Sequence, residues 1–308
     1  MNRLGKILLL IGLIFILTGL IIIRKDDILT LFNKYMSPNS ISVSLEKNKY
    51  YRNYDFELIQ NTDDFYPNSY QDILNIYYSV INSGVEDFTF YCSKEYDNCL
   101  NDIQEIANDQ TLLSNINNYV HPYNSYSHIE TQFDSLGKVK IITTKTYNNK
   151  EIKEINTEVD KIYNKIVNPN NSIKDNIKII HDYIINNTKY DTLRSDQNIR
   201  KYHSDIAYGP LFEGYAICGG YTDLMQLFLE KLNVKSFRIS SSDHVWNAVN
   251  IDNTWYHLDL TWDDPVVDDN IDRLNYDFFL IDTKQLQDKE KTKHEFNQDN
   301  FRELKETN

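Results

Sequence analysis

Residues 244–262 restrict the fold of this 308-residue chain more than any other stretch. His244-Val-Trp-Asn-Ala-Val-Asn-Ile251 and Thr254-Trp-Tyr-His-Leu-Asp-Leu-Thr-Trp262 are two β-rich runs separated by Asp252-Asn253. Both turn residues tolerate positive φ, so the segment predicts a hairpin with a two-residue turn. Pairing Ile251 with Thr254 sets the register of everything above it. Trp246 then faces Asp259, and His244 is the diagonal neighbour of Asp259 on the same face, about 7–8 Å away at Cα. A four-residue loop closing on Asn250 and Trp255 gives the same pairing. The opposite face carries Val245, Val249, Ile251, Tyr256, Leu258 and Leu260 and reads as core. His244, Trp246, Trp255, His257 and Asp259 share the chemically loaded face. A histidine held by a carboxylate is a base in a fixed tautomer, the partner that a nucleophilic cysteine needs.

A suitable cysteine lies upstream. Cys218 sits in Gly214-Tyr-Ala-Ile-Cys-Gly-Gly-Tyr-Thr-Asp, where an irregular glycine-containing stretch meets a helical one. From Tyr221 the apolar residues Leu224, Met225, Phe228 and Leu232 follow at the spacing of one helix face. A thiol at a helix start faces the positive end of the macrodipole and unpaired backbone N–H groups, which favour the nucleophilic anion. The same position also suits a buried cysteine packing as a small hydrophobe, and helix position alone does not choose between the two.

Together, Cys218-Gly-Gly-Tyr221, His244-Val-Trp-Asn247 and Trp255-Tyr-His-Leu-Asp-Leu-Thr-Trp-Asp-Asp264 resemble the transglutaminase-like superfamily, as do Tyr190-Asp191 and Ala207-Tyr-Gly-Pro-Leu211. The similarity to bacterial transglutaminase/protease-like domains covers roughly residues 170–285. It implies an α+β, papain-like catalytic domain, in which a helix bearing nucleophile Cys218 packs on an antiparallel sheet bearing base His244 and its partner Asp259. It does not identify the substrate.

Other groups near this constellation are weighed by type and spacing. His257 shares the face of His244, so spacing alone leaves it open as the base, and the family motif favours His244. His181 lies mid-helix as a packing histidine, and His203 lies in a polar loop facing solvent. Cys218, His244, His257 and Asp259 are zinc-ligand types, but they lack close-spaced pairs and a metal would occupy the nucleophile, so no metal or cofactor is expected. The run Asp263, Asp264, Asp268, Asp269 and Asp272 lacks EF-hand spacing and its glycine, and reads as a solvated loop. The backbone N–H of Cys218 is an oxyanion donor, with a second expected from an upstream residue such as Tyr190 or Tyr215. Trp246 and Trp255 join these two tyrosines as candidate substrate contacts.

Ile7 to Ile23 is an uncharged run of 17 residues between Lys6 and Arg24-Lys25. As a helix it spans about 26 Å, near the lower limit for a bilayer. It is long for a signal-peptide core, and no small-x-small cleavage site follows. The expectation is an uncleaved signal-anchor, N-in, with the body outside the cell. Residues 1–25 hold four basic and no acidic side chains, so the rest of the chain carries 28 basic against 45 acidic groups, a formal −17. That balance repels nucleic acid and makes strongly anionic polymers poor ligands. Outside the cytoplasm, Cys92 and Cys99 suit a local disulfide that leaves Cys218 as the odd thiol, although two unpaired core thiols fit the same spacing.

Residues 26–150 beyond the anchor read as a separate α+β spacer or presentation domain, and 151–308 as the catalytic domain. A helix is expected over 69–82, ended by Gly84, with a strand over 85–91 and a helical stretch over 93–118 broken near Asn108-Asp109. A hairpin follows over 127–133 and 138–147, then helices over 152–167 and 173–187, the latter capped by Ser172. Nothing in 38–150 has catalytic spacing. The expected function is a membrane-anchored, extracytoplasmic cysteine enzyme acting on protein or peptide amide bonds through a Cys218 thioester, with a cell-surface or cell-wall substrate. Hydrolysis is favoured over transamidation. The alternative is an inactive domain kept as a surface binding or scaffold protein.

Overall fold

The computed structural model describes residues 44–264 and 274–305, with positions 18, 24 and 27 before them. The expected anchor helix over 7–23 therefore lies, but for position 18, outside the described residues. Among those that are described, no helix is long and apolar enough to cross a membrane. The architecture is mixed α and β.

Helix α1 (Tyr70–Ser83) begins where the Ser69 hydroxyl accepts from the Asp72 N–H, and it ends at Gly84, whose φ of 77° closes the helix in the left-handed region. Strand β1 (Asp87–Tyr91) follows, then α2 (Cys99–Asn108) and α3 (Gln110–Asn118), broken at Asp109, which caps α3 through Leu112 N. The helical stretch expected from residue 93 starts at Cys99, because Cys92 and Cys99 are joined as a disulfide across the intervening turn. Strands β2 (Tyr126–Phe133) and β3 (Lys138–Lys145) form the expected hairpin, and the sheet order is β1-β3-β2, all antiparallel.

Helices α4 (Asn149–Ile166) and α5 (Ile173–Asn186) lead to β4 (Lys189–Tyr190), the short α6 (Thr192–Gln197) and β5 (Tyr215–Ala216), which pairs in parallel with β4. Helix α7 (Cys218–Lys231) precedes the antiparallel sheet β6-β7-β8 (Ser236–Ser240, Val245–Ile251, Thr254–Leu258). The hairpin register is the expected one: Ile251 pairs with Thr254 and Asn247 with Leu258, while Asp252 and Asn253 both take positive φ (53° and 63°). A short α8 (Leu260–Asp263), α9 (Thr283–Lys289) and an irregular C-terminal strap complete the chain.

The sheet β6-β7-β8 is covered on both sides. On one side α7 lays Tyr221, Leu224, Met225 and Phe228 against Val249, Ile251, Leu258 and Leu260, with α4 and α5 behind it. On the other, Phe237, Ile239, Trp246 and Ala248 join a second cluster built from residues 56–141 together with Phe278, Leu286, Phe301 and Leu304. Buried on both faces, the sheet is a rigid plate, and that rigidity serves the groups at its end. The face that carries Trp246 and His257 is therefore itself core away from its tip.

Candidate active site

Helix α7 starts bare. Its N-cap, Ile217, is extended and offers no side-chain cap. No hydrogen-bond partner is found for the N–H groups of Cys218 and Gly219 among the described residues, whereas Ile217 N–H donates to Ser204 O at 2.8 Å. The two glycines after the cysteine let the helix start lie on the backbone of residues 204–206. A Cβ at Gly219 would meet Asp205 O at 2.6 Å, and one at Gly220 would meet Ser204 O at 2.4 Å. Side chains there would push Cys218 off its seat. Cys218 is half-buried and the free cysteine.

Two hydrogen bonds lock this helix to the strand that follows His244. Thr222 Oγ1 donates to Val245 O at 3.0 Å, and Asn247 Nδ2 donates to Thr222 O at 3.1 Å. They fix the distance between the thiol and the imidazole from behind both. His244 lies at the start of β7, its ring stacked at 14° on Trp246 and edge-on to Trp262. Its Nε2 is 2.5 Å from Asp259 Oδ2. The other Asp259 oxygen accepts from the N–H groups of Thr261 (2.9 Å) and Trp262 (3.4 Å), because Asp259 is also the N-cap of α8.

Electrostatics follow from this packing. Burial pulls the His244 pKa down, but the Asp259 charge and hydrogen bond, helped by a hydrogen bond and charge from Cys218, outweigh it and push it up to about 10. Burial raises Asp259, yet the charge and hydrogen bond of His244 and then of His294 hold it well below the usual carboxylate range. An ionised Asp259 only accepts, so the ring nitrogens facing it carry hydrogens. His244 therefore presents Nδ1 on the side away from the carboxylate, the side that meets Cys218.

The other predicted contacts divide. Tyr190 is half-buried, and burial first, then the charge of Cys218, raises its phenol pKa. Tyr215, two positions before Ile217, stacks face to face on Tyr202 with centroids 4.1 Å apart. Trp246 is fully buried and donates its Nε1 to His257 Nδ1 at 3.0 Å, so its contacts are within the protein. Trp255 lies at the turn end of the hairpin against Phe237, four residues from Asp259 and about 13 Å along the strand. Trp246 thus backs the His244 ring, while Trp255 lies away from it. His257 is occupied on both nitrogens, by Trp246 and by Thr283 Oγ1 at 3.0 Å. Burial, then the charge of His294, pushes its pKa down to about 3 against the pull of Asp259. It is a neutral packing group, and His244 is the histidine that interacts with Cys218.

The acidic run is not a solvated loop throughout. Asp263 is fully buried, accepts from Phe278 N–H and faces His181 Nε2 at 3.2 Å, while Asp264 accepts from the Tyr221 hydroxyl. Asp268, Asp269 and Asp272 lie outside the described residues. One residue near Asp259 carried no pattern in the sequence: His294, from the C-terminal strap, places Nε2 2.8 Å from Asp259 Oδ2. His244, Asp259 and His294 thus offer three metal-ligand types with atoms within 4.8 Å. Their separations of 2.5 and 2.8 Å are those of hydrogen bonds; ligands on one tetrahedral zinc stand about 3.3 Å apart.

Residues 140–284 match the family model of a transglutaminase-like domain, a span that contains Cys218, His244 and Asp259. No curated protein matches the chain. Among solved structures, it is similar to one described as the crystal structure of a TGase, at 12% identity and a TM-score of 0.30, covering 44% of this chain and 45% of that one. It is similar also to "a Putative Cysteine Protease from Cytophaga hutchinsonii", at 14% identity and a TM-score of 0.28, covering 44% of this chain and 61% of that one. The chain spans less than two thirds of the length of either. On the family match, residues 140–284 of the chain are similar to a transglutaminase-like domain.

Proposed function

We propose that this protein is a cysteine enzyme that breaks amide bonds of a protein or peptide through a thioester on Cys218. The observation that carries the reading is the His244 Nε2–Asp259 Oδ2 contact of 2.5 Å, with the imidazole's other side interacting with Cys218. In this reading Cys218 gives its proton to His244 and attacks the carbonyl carbon. The developing oxyanion is met by the unpartnered N–H groups at the start of α7, with the Tyr190 hydroxyl alongside. His244, carrying that proton, returns it to the departing amine as the tetrahedral intermediate collapses to the thioester. An acceptor, deprotonated by His244, then attacks the thioester and restores the thiol. Asp259 holds the imidazole in the tautomer and orientation that both steps require.

Water is the acceptor favoured by this geometry. Transfer to an amine needs walls that hold water off the thioester. Trp255 sits at the far end of the hairpin and Trp246 is buried behind the His244 ring, so of the two tryptophans that flank His244 only Trp262 keeps exposed surface. We propose also that the body acts outside the cell, held by the apolar run Ile7–Ile23, with residues 26–150 as a spacer or presenting unit. The Cys92–Cys99 disulfide supports an oxidising compartment.

The test is product analysis. The chain is incubated with a glutamine-bearing protein and a labelled primary amine, with Cys218→Ala as control. Ammonia release or backbone cleavage without amine incorporation is expected. Incorporation of the amine would replace hydrolysis by transfer, and no Cys218-dependent product on any amide substrate would oppose the enzyme reading.

A further inference from the structure

We infer that His294 is a fourth, positioning member of the site, whose Nε2–H is a second imidazole donor to the Asp259 oxygen that holds His244. The inference rests on the cysteine-enzyme reading and extends it beyond the 140–284 span, since His294 comes from the strap that follows α9.

Asp259 Oδ2 receives two imidazole nitrogens, His244 Nε2 at 2.5 Å and His294 Nε2 at 2.8 Å, while Oδ1 receives two backbone N–H groups. Four donors on one buried carboxylate use up its lone-pair directions, so it can neither rotate nor slide. The His294 ring is clamped in turn. It stacks on Phe278 at 15° and meets Trp246 and Trp262 with centroids 4.9 and 5.2 Å away, and its Nδ1 faces Glu290 Oε2 at 3.4 Å. The ring is essentially solvent-free, 2% exposed. A purely packing role does not need its nitrogen aimed at the one carboxylate that orients the base.

The strap bearing it is tied to the rim of the site. Lys293 pairs with Asp243, the residue before His244, and Glu290 accepts the N–H groups of Thr292 and Lys293 at 3.1 and 2.7 Å. The strap therefore reaches both the partner of the base and the loop that introduces the base. Without the second donor, Asp259 is held at Oδ2 by His244 alone, and the imidazole loses its fixed reference.

The experiment reads Cys218 carboxamidomethylation by iodoacetamide across pH 5–10 in the full chain, with thermal unfolding recorded in parallel. Four forms are compared: wild type, Asp259→Asn, His294→Phe and His294→Gln. Phenylalanine keeps the ring and removes the donor; glutamine restores an N–H near Nε2. We expect His294→Phe to slow labelling at pH 7 by about 10–100-fold, the range for loss of an orienting partner, and His294→Gln to recover most of it. Equal rates in His294→Phe and wild type, or equally slow rates in both His294 variants, would overturn the inference. If His294→Phe does not fold, His294→Met replaces it, and equal rates for Met and Gln overturn the inference. Asp259→Asn separates the two levels. A slow Asp259→Asn beside a normal His294→Phe sinks only the role of His294, whereas wild-type labelling in Asp259→Asn sinks the triad itself.

Discussion

Asn247 donates its side-chain amide to the carbonyl oxygen of Thr222 across 3.1 Å, and that bond joins the helix that begins with Cys218 to the strand that follows His244. With the Thr222 hydroxyl on Val245 O, it makes the separation of Cys218 and His244 a property of the core rather than of a loop. Asn247 is 1% exposed, so the bond is made without competition from water.

Asn247→Ala should therefore cost about 1–3 kcal/mol in urea unfolding, the range for a lost buried hydrogen bond. In fully folded protein it should also slow Cys218 alkylation. Thr222→Val should behave alike. An Asn247→Ala protein less stable yet unchanged in alkylation rate would show that the bond holds the fold and not the thiol–imidazole distance.

Stability should peak near pH 6.5, the ordinary histidine pKa, because buried histidines pull in opposite directions on either side. The folded His244 pKa of about 10 lies above the unfolded one, so its contribution is fully present below pH 6.5 and lost as pH climbs towards 10. His257, lowered to about 3, and His121, lowered well below 6.5, both by burial first, contribute stability above pH 6.5 that is lost as pH falls. Each histidine tilts the curve by about 1.4 kcal/mol per pH unit inside its window. Denaturant unfolding from pH 5 to 9 measures this, and His244→Asn should flatten the alkaline side. A wild-type curve level between pH 6.5 and 9 would contradict the His244 assignment.

Reducing the Cys92–Cys99 disulfide should lower stability by about 2.5 kcal/mol in the chain-entropy model for so short a loop. Cys218 alkylation should be unaffected, since the bridge lies in the cluster built on residues 56–141. Protease added to intact cells should digest the body and leave about the first two dozen residues. A body protected until lysis would place it in the cytoplasm and count against the bridge forming there.

The hairpin was legible to the residue because a two-residue turn and a two-residue period leave one register. A slip would have put Val249 and Leu258 on the wrong face. The Cys218 helix is legible from its apolar spacing, and Gly219 and Gly220 have their reason in the backbone of residues 204–206. Trp246 and Trp255 were harder, because alternation says which residues share a face but not what covers it. Here residues 56–141 and the C-terminal strap cover it. His294 carried no signal, since it lies in an irregular segment and reaches Asp259 from 35 positions away. Asp263 looked like one of several loop carboxylates because its partner, His181, is 82 positions distant.

The central claim is that Cys218, activated by His244, becomes acylated. It is tested most directly by mixing the protein with an activated acyl-amide probe, quenching in acid and locating the acyl group by tandem mass spectrometry. One acyl group is expected, on Cys218, absent in Cys218→Ala and formed at least ~100-fold more slowly in His244→Ala. Acylation of Cys218 at the same rate with and without His244, or acylation confined to other residues, would contradict it.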